Sequence, residues 1–120
     1  MENIKRWSIS SEKYVKVFGK RGNVTFQKMT KNDLNHRSRG VTISKDAFLK
    51  MDDVSITPAS HVNVDKNIVL TNYGRNIRLT KYCFSTDNKQ CDGGLFLFTP
   101  IEWSYFWNTI QPKIVERLKE

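Results

Sequence analysis

Basic side chains and aromatic rings share the same faces of several short segments of this chain, a combination able to hold an unpaired nucleic acid strand. Such a strand exposes phosphates, which cations neutralise with release of counterions, and unstacked bases, which settle on ring faces at roughly 1–3 kcal/mol each. Along Tyr14–Phe18, period-two alternation sends Val15 and Val17 to one face and Tyr14, Lys16 and Phe18 to the other. Val24 and Phe26 point inward in the next alternating stretch, leaving Thr25 and Gln27 outward. Around Tyr73–Tyr82 the inward pair is Ile77 and Leu79, so Arg78 and Tyr82 face out. The candidate nucleic-acid-binding residues are therefore Lys16, Phe18, Lys20, Arg21, Lys28, Arg37, Arg39, Tyr73, Arg75, Arg78, Lys81 and Tyr82. Six of them have a plainer reading: Phe18 and Tyr73 as packing aromatics, and Lys20, Arg21, Arg37 and Arg39 as solvated charges. Asn23 and Asn76 read as turn formers.

Other chemistries find little support. Gly19-Lys20-Arg21-Gly22 is too short for a phosphate-binding P-loop and lacks the Lys-Ser/Thr ending. Asp52 and Asp53 are adjacent, and neighbours on a helix point about 100° apart, too far for a joint acid–base pair. No serine, histidine and acid fall into a nucleophilic arrangement, so the chain is expected not to be an enzyme. Cys83 and Cys91 have no histidine at metal spacing, since His36 and His61 are distant in sequence. They read as reduced thiols, and no cofactor is implied. No apolar run approaches the roughly 20 residues that cross a bilayer, and Met1–Trp7 lacks a secretory apolar core. An intracellular protein without a membrane partner is expected.

Charge strengthens the polyanion reading. The formal net charge is +8, and residues 1–54 hold 12 Lys or Arg against 6 acids, whereas residues 55–120 hold 8 against 6. From Lys13 to Lys45 there are nine basic residues and one acid, Asp33. Crowding of this kind repels itself unless a polyanion offsets it.

The elements that must carry these residues recur along the chain. Val15-Lys16-Val17 is followed 53 residues later by Ile68-Val69-Leu70, and Val24–Lys28 falls on Ile77–Lys81 at the same offset. Val41–Ser44 matches Phe96–Thr99, and Phe48 matches Trp103, at an offset of 55. The alternation predicts strands over 13–18, 23–30 and 40–44, and again over 67–72, 75–84 and 94–99. Ser44 is positioned to cap a short helix over 45–53, and Thr99 to cap one that Pro100 opens. Trp103, Phe106, Trp107, Ile110, Ile114 and Leu118 form one apolar stripe to about residue 118, with Pro112 expected to kink or divide it. The predicted fold is α+β. It comprises an N-terminal arm (1–11), either loose or adding a strand, a strand-strand-strand-helix repeat (12–54), a linker (55–66), and a second repeat ending in a long helix (67–120).

This order resembles the family of the transcriptional positive cofactor four, small nuclear or viral single-stranded DNA binders. The resemblance rests on Tyr14-Val15-Lys16-Val17, Gly22-Asn23-Val24-Thr25-Phe26, and Arg39-Gly40-Val41-Thr42-Ile43-Ser44 leading into Phe48. In the second copy it rests on Ile77–Lys81 and on Phe98-Thr99-Pro100-Ile101-Glu102-Trp103. Cys91-Asp92-Gly93-Gly94 lacks the basic pair that should precede the last strand, and the first copy lacks the helix proline. Family members pair through their helices so that two curved sheets form a channel. The resemblance thus implies two curved antiparallel repeats forming an intramolecular pseudo-dimer, open to further homodimerisation. It implies single-stranded DNA as ligand and the transcription or replication machinery as partner, in the nucleus for a eukaryotic or nuclear viral protein. Backbone charge and stacking serve RNA equally, and a basic face could instead dock an acidic protein in a transcription complex.

Overall fold

Alternating valines, isoleucines and phenylalanines supply one apolar face to each strand, and a meander of four such strands forms twice in this computed structural model. It describes residues 4–18, 22–28, 40–56, 61–82 and 93–119. The first antiparallel sheet runs in the order β1 (Ile4–Ser8), β2 (Lys13–Phe18), β3 (Asn23–Lys28) and β4 (Val41–Ile43). The second runs β5 (His61–Asp65), β6 (Ile68–Asn72), β7 (Ile77–Lys81) and β8 (Gly94–Phe98). Each last strand passes through a hydroxyl cap into a helix. Ser44 accepts from the Ala47 amide at 3.1 Å to open α1 (Lys45–Leu49). Thr99 and Glu102 form a reciprocal capping box, at 2.8 and 3.1 Å, that opens α2 (Pro100–Tyr105). The protein is thus α+β, with two four-stranded sheets and a C-terminal helix.

Two strands come from segments without a clear apolar signature. The N-terminal segment adds β1 to the first sheet, pairing Trp7 with Val15. The stretch expected to link the repeats holds a short 3-10 turn (Val54–Ile56) and β5, which pairs Val62 with Leu70. Register also corrects the sequence alignment. Val15 faces Phe26 as Leu70 faces Leu79, so Leu70, and not Ile68, stands in the place of Val15.

The long helix continues through Pro112 by means of a π turn. After α2, residues Phe106–Ile110 bond one residue further back, with the Gln111 amide reaching the Phe106 carbonyl, and α3 (Gln111–Leu118) follows. Proline lacks the amide donor and its ring crowds the preceding turn, and the widened turn accommodates both. Trp103, Phe106, Ile110, Ile114 and Leu118 all remain buried on one side.

That side covers the first sheet although the helix follows the second. Lys13 on β2 pairs with Glu102 at 2.7 Å. A Cβ placed on Gly22, in the turn before β3, would lie 3.2 Å from Leu118 Cδ2 at the far end of the helix. Between these ends Phe26 meets Phe106 at 5.5 Å between ring centroids, and also Phe48, Phe96 and Phe98 at 6.5, 5.5 and 5.8 Å. One core therefore serves both sheets. Glycine is needed where β4 begins, since a Cβ on Gly40 would sit 2.6 Å from the Phe26 carbonyl oxygen, and the start of β8 is tight, since one on Gly94 would sit 3.0 Å from the Gly40 carbonyl oxygen.

Two predictions follow from this packing. Phe26→Ala removes the shared ring and should cost about 3–5 kcal/mol in denaturant unfolding. The intact protein should unfold in one transition by fluorescence and circular dichroism alike, and two separated transitions would contradict a common core. Burial alone would raise the Glu102 carboxyl, but hydrogen bonds from Lys13 and the Thr99 amide and the Lys13 charge outweigh it and lower its pKa. Its stabilisation is full above the unfolded-state pKa and is lost as pH falls through the folded value. Glu102→Gln should therefore cost about 1 kcal/mol at neutral pH, with the gap in melting temperature closing in acid.

Candidate nucleic-acid interface

With the inner faces spent on the core, the outer faces carry what the strands leave over. Register arranges the first sheet's outer face in rows: Ile4, Phe18, Asn23; then Arg6, Lys16, Thr25, Thr42; then Ser8, Tyr14, Gln27. The second sheet's outer face reads His61, Thr71, Arg78, Leu97 and then Asn63, Val69, Thr80, Leu95. Among the described residues, none of these outward strand positions holds a carboxylate.

Glu102 and Asp53 lie off these rows and have partners. Asp53 accepts from Trp103 Nε1 at 2.7 Å and from Ser55 Oγ at 2.6 Å. Burial raises the Asp53 carboxyl, but the bonds from Ser55 and Trp103 prevail and its pKa is lowered. Cations on the open faces instead meet rings or one another. Arg6 lies over Tyr14 at 5.6 Å, Lys16 over Phe18 at 5.0 Å, and Arg78 over Tyr73 at 4.8 Å. Arg6 and Lys16 are direct cross-strand partners. Partial burial, and then repulsion from Arg6, hold the Lys16 ammonium below its ordinary pKa.

The sequence-predicted residues divide into three groups. Lys16, Phe18, Tyr73 and Arg78 share open faces with cation–ring contacts, while Tyr82 is exposed just beyond β7 and Arg75 is exposed beside Tyr73. Lys28 and Lys81 do not reach an open face. Each lies two residues past an inward side chain, Phe26 or Leu79, and so shares its direction. Lys28 is exposed opposite Lys13, and Lys81 donates to the Thr42 carbonyl at 2.9 Å, joining the sheets. Lys20, Arg21, Arg37 and Arg39 lie outside the described residues, as do Cys83 and Cys91. Arg6 and Tyr14 belong to the interface and were not among the candidates. Tyr14 had the right alternation, whereas Arg6 became legible only once β1 paired with β2.

Among the described residues no group of His, Cys, Asp and Glu could hold a metal ion, and no helix is long and apolar enough to cross a membrane. A shallow groove along α2 and the π turn, lined by Ile101, Tyr105 and Asn108, takes none of its residues from a strand. No protein-family model, curated protein or solved structure matches the chain.

Crowding on the first open face carries a stability cost. Because the folded chain holds the Lys16 proton less tightly than the unfolded chain, stability should rise with pH between the lowered value and the ordinary one. Lys16→Gln should leave the melting temperature at neutral pH unchanged or raise it, as differential scanning calorimetry can show. A marked loss would mean that the lysine serves the fold.

Proposed function

We propose that this chain is a non-enzymatic, sequence-tolerant single-stranded DNA-binding protein acting in transcription, replication or repair. One observation carries the reading: the first sheet's outward face holds no carboxylate at its described strand positions, and there Arg6 and Lys16 are pressed side by side among aromatic rings. Elsewhere Lys13 is paired with the acid Glu102. A pair that instead repels, next to Tyr14 and Phe18, suits a ligand bringing negative charge and flat apolar surfaces together. Bases can displace an ammonium or guanidinium from a ring, and the released cation can follow a phosphate. Duplex DNA buries its base faces and offers the rings nothing.

The pseudo-dimer belongs to the same proposal. Two meanders, each ending in a capped helix and sharing one core, would reproduce within one chain the paired arrangement that members of the positive cofactor four family reach by homodimerisation.

Fluorescence anisotropy with labelled single strands and matched duplexes, across a salt series, tests the proposal. Affinity for single strands should exceed that for duplex and fall as salt rises. Tyr14→Ala with Phe18→Ala should weaken single-strand binding by at least about fivefold, equivalent to roughly 1 kcal/mol or more of lost stacking. Equal or tighter duplex binding would overturn it, and an RNA strand that outcompetes matched DNA would reassign the polymer.

A further inference from the structure

Resting on the single-strand reading, we infer that the first sheet alone holds the strand by its phosphates and that the second sheet's open face meets bases. The register makes the two faces directly comparable. Val24 stands opposite Ile43 as Ile77 stands opposite Phe98, and Phe26 opposite Val41 as Leu79 opposite Phe96. In this correspondence the central row of the first sheet, Arg6–Lys16–Thr25–Thr42, falls on His61–Thr71–Arg78–Leu97 of the second.

The basic pair is not repeated. His61 takes the place of Arg6 and bonds Thr71, which takes the place of Lys16, at 3.1 Å. The second face keeps one cation on its strands, Arg78, in the position of Thr25, with its guanidinium laid over Tyr73. Where the first sheet ends in Thr42, bonded to Thr25 at 2.9 Å, the second ends in Leu97, and Leu95 lies beside it. These leucines are 38% and 46% exposed, and Tyr73 is 55% exposed. Exposed leucines and a stacked tyrosine neutralise no phosphate, but they offer apolar surface to base faces and to thymine methyl groups. Sequence charge runs the same way, since residues 1–54 exceed their acids by six and residues 55–120 by two.

Salt-dependent titration of the intact protein against a labelled oligodeoxythymidylate of about 16 nucleotides separates the two roles. Each phosphate contact contributes about 0.7 to the slope of log affinity on log salt for a single strand. Arg6→Gln with Lys16→Gln should flatten the slope by about 1.4. Leu95→Ser with Leu97→Ser should weaken binding about fivefold or more at every salt concentration, with the slope unchanged. Arg78→Gln should likewise leave the slope in place. All of these side chains lie outward on strands, and circular dichroism checks that each variant folds. The inference is overturned if Arg78→Gln flattens the slope by about 0.7, if the first-sheet pair leaves it unchanged, or if the serine variant binds like the wild type. Each of these results leaves the single-strand reading standing, whereas wild-type protein that binds no single strand removes that reading itself.

Discussion

The ring of Phe26 ties the molecule together. It sits on the first sheet, is fully buried, and touches rings from α1, from the second sheet and from the C-terminal helix. The first meander has no helix of its own that could cover it. The five residues of α1 are too few to seal a four-stranded face, and the long helix that follows the second sheet reaches across the first, from Lys13 at one end to Gly22 at the other. Each half thus depends on the other to bury its apolar side, and the β4 and β8 starts approach so closely that a Cβ on Gly94 would lie 3.0 Å from the Gly40 carbonyl oxygen. Folding is consequently a property of the whole chain.

Spending the inner faces in this way sorts the charges. Two acids are partnered by the fold: Glu102 closes a capping box and holds Lys13, and Asp53 receives the indole of Trp103. Each bond has a structural effect, fixing the helix start or the chain after α1. The outward strand positions hold cations without acids, and rings are the nearest groups those cations can use. Contacts between cations and exposed rings are worth only about 0.5–1 kcal/mol, weak enough for a ligand to exchange them. A surface optimised for stability alone would place a glutamate opposite Lys16. Arginine stands there instead, and the fold tolerates the repulsion.

Much of this was legible in the residue pattern, and the failures have definite causes. Alternation located six strands because their apolar residues recur at every second position, and Ser44 and Thr99 marked both helix starts by their capping chemistry. The strand β5 escaped and β1 stayed one of two alternatives because HVNVD and IKRWS are short and half polar, and only pairing with β6 and β2 makes them strands. Lys28 and Lys81 were assigned by charge when their spacing from Phe26 and Leu79 already turned them inward. The alignment of β2 with β6 slipped by two residues, which preserves side-chain direction and is therefore invisible to a periodicity argument. Pro112 signalled a disturbance in the helix correctly, but a π turn absorbs it without a break, and no local rule specifies that choice.

The shared core also bears on how binding could work. An isolated hairpin carrying Arg6, Lys16, Tyr14 and Phe18 would have to order its strands on meeting a ligand, at a cost of about 1–2 kcal/mol per backbone residue fixed. Here β2 and β3 are anchored by Val15, Val17, Val24 and Phe26, all essentially inaccessible to solvent, so their outward neighbours are held in place beforehand. The same valines and phenylalanine that stabilise the fold thereby set the spacing of the cations and rings. Substitutions beneath the sheet should move the interface, while substitutions on it should leave the fold intact. The two faces can consequently carry different chemistry, with Lys16 on one and Thr71 on the other, without disturbing the framework that holds both.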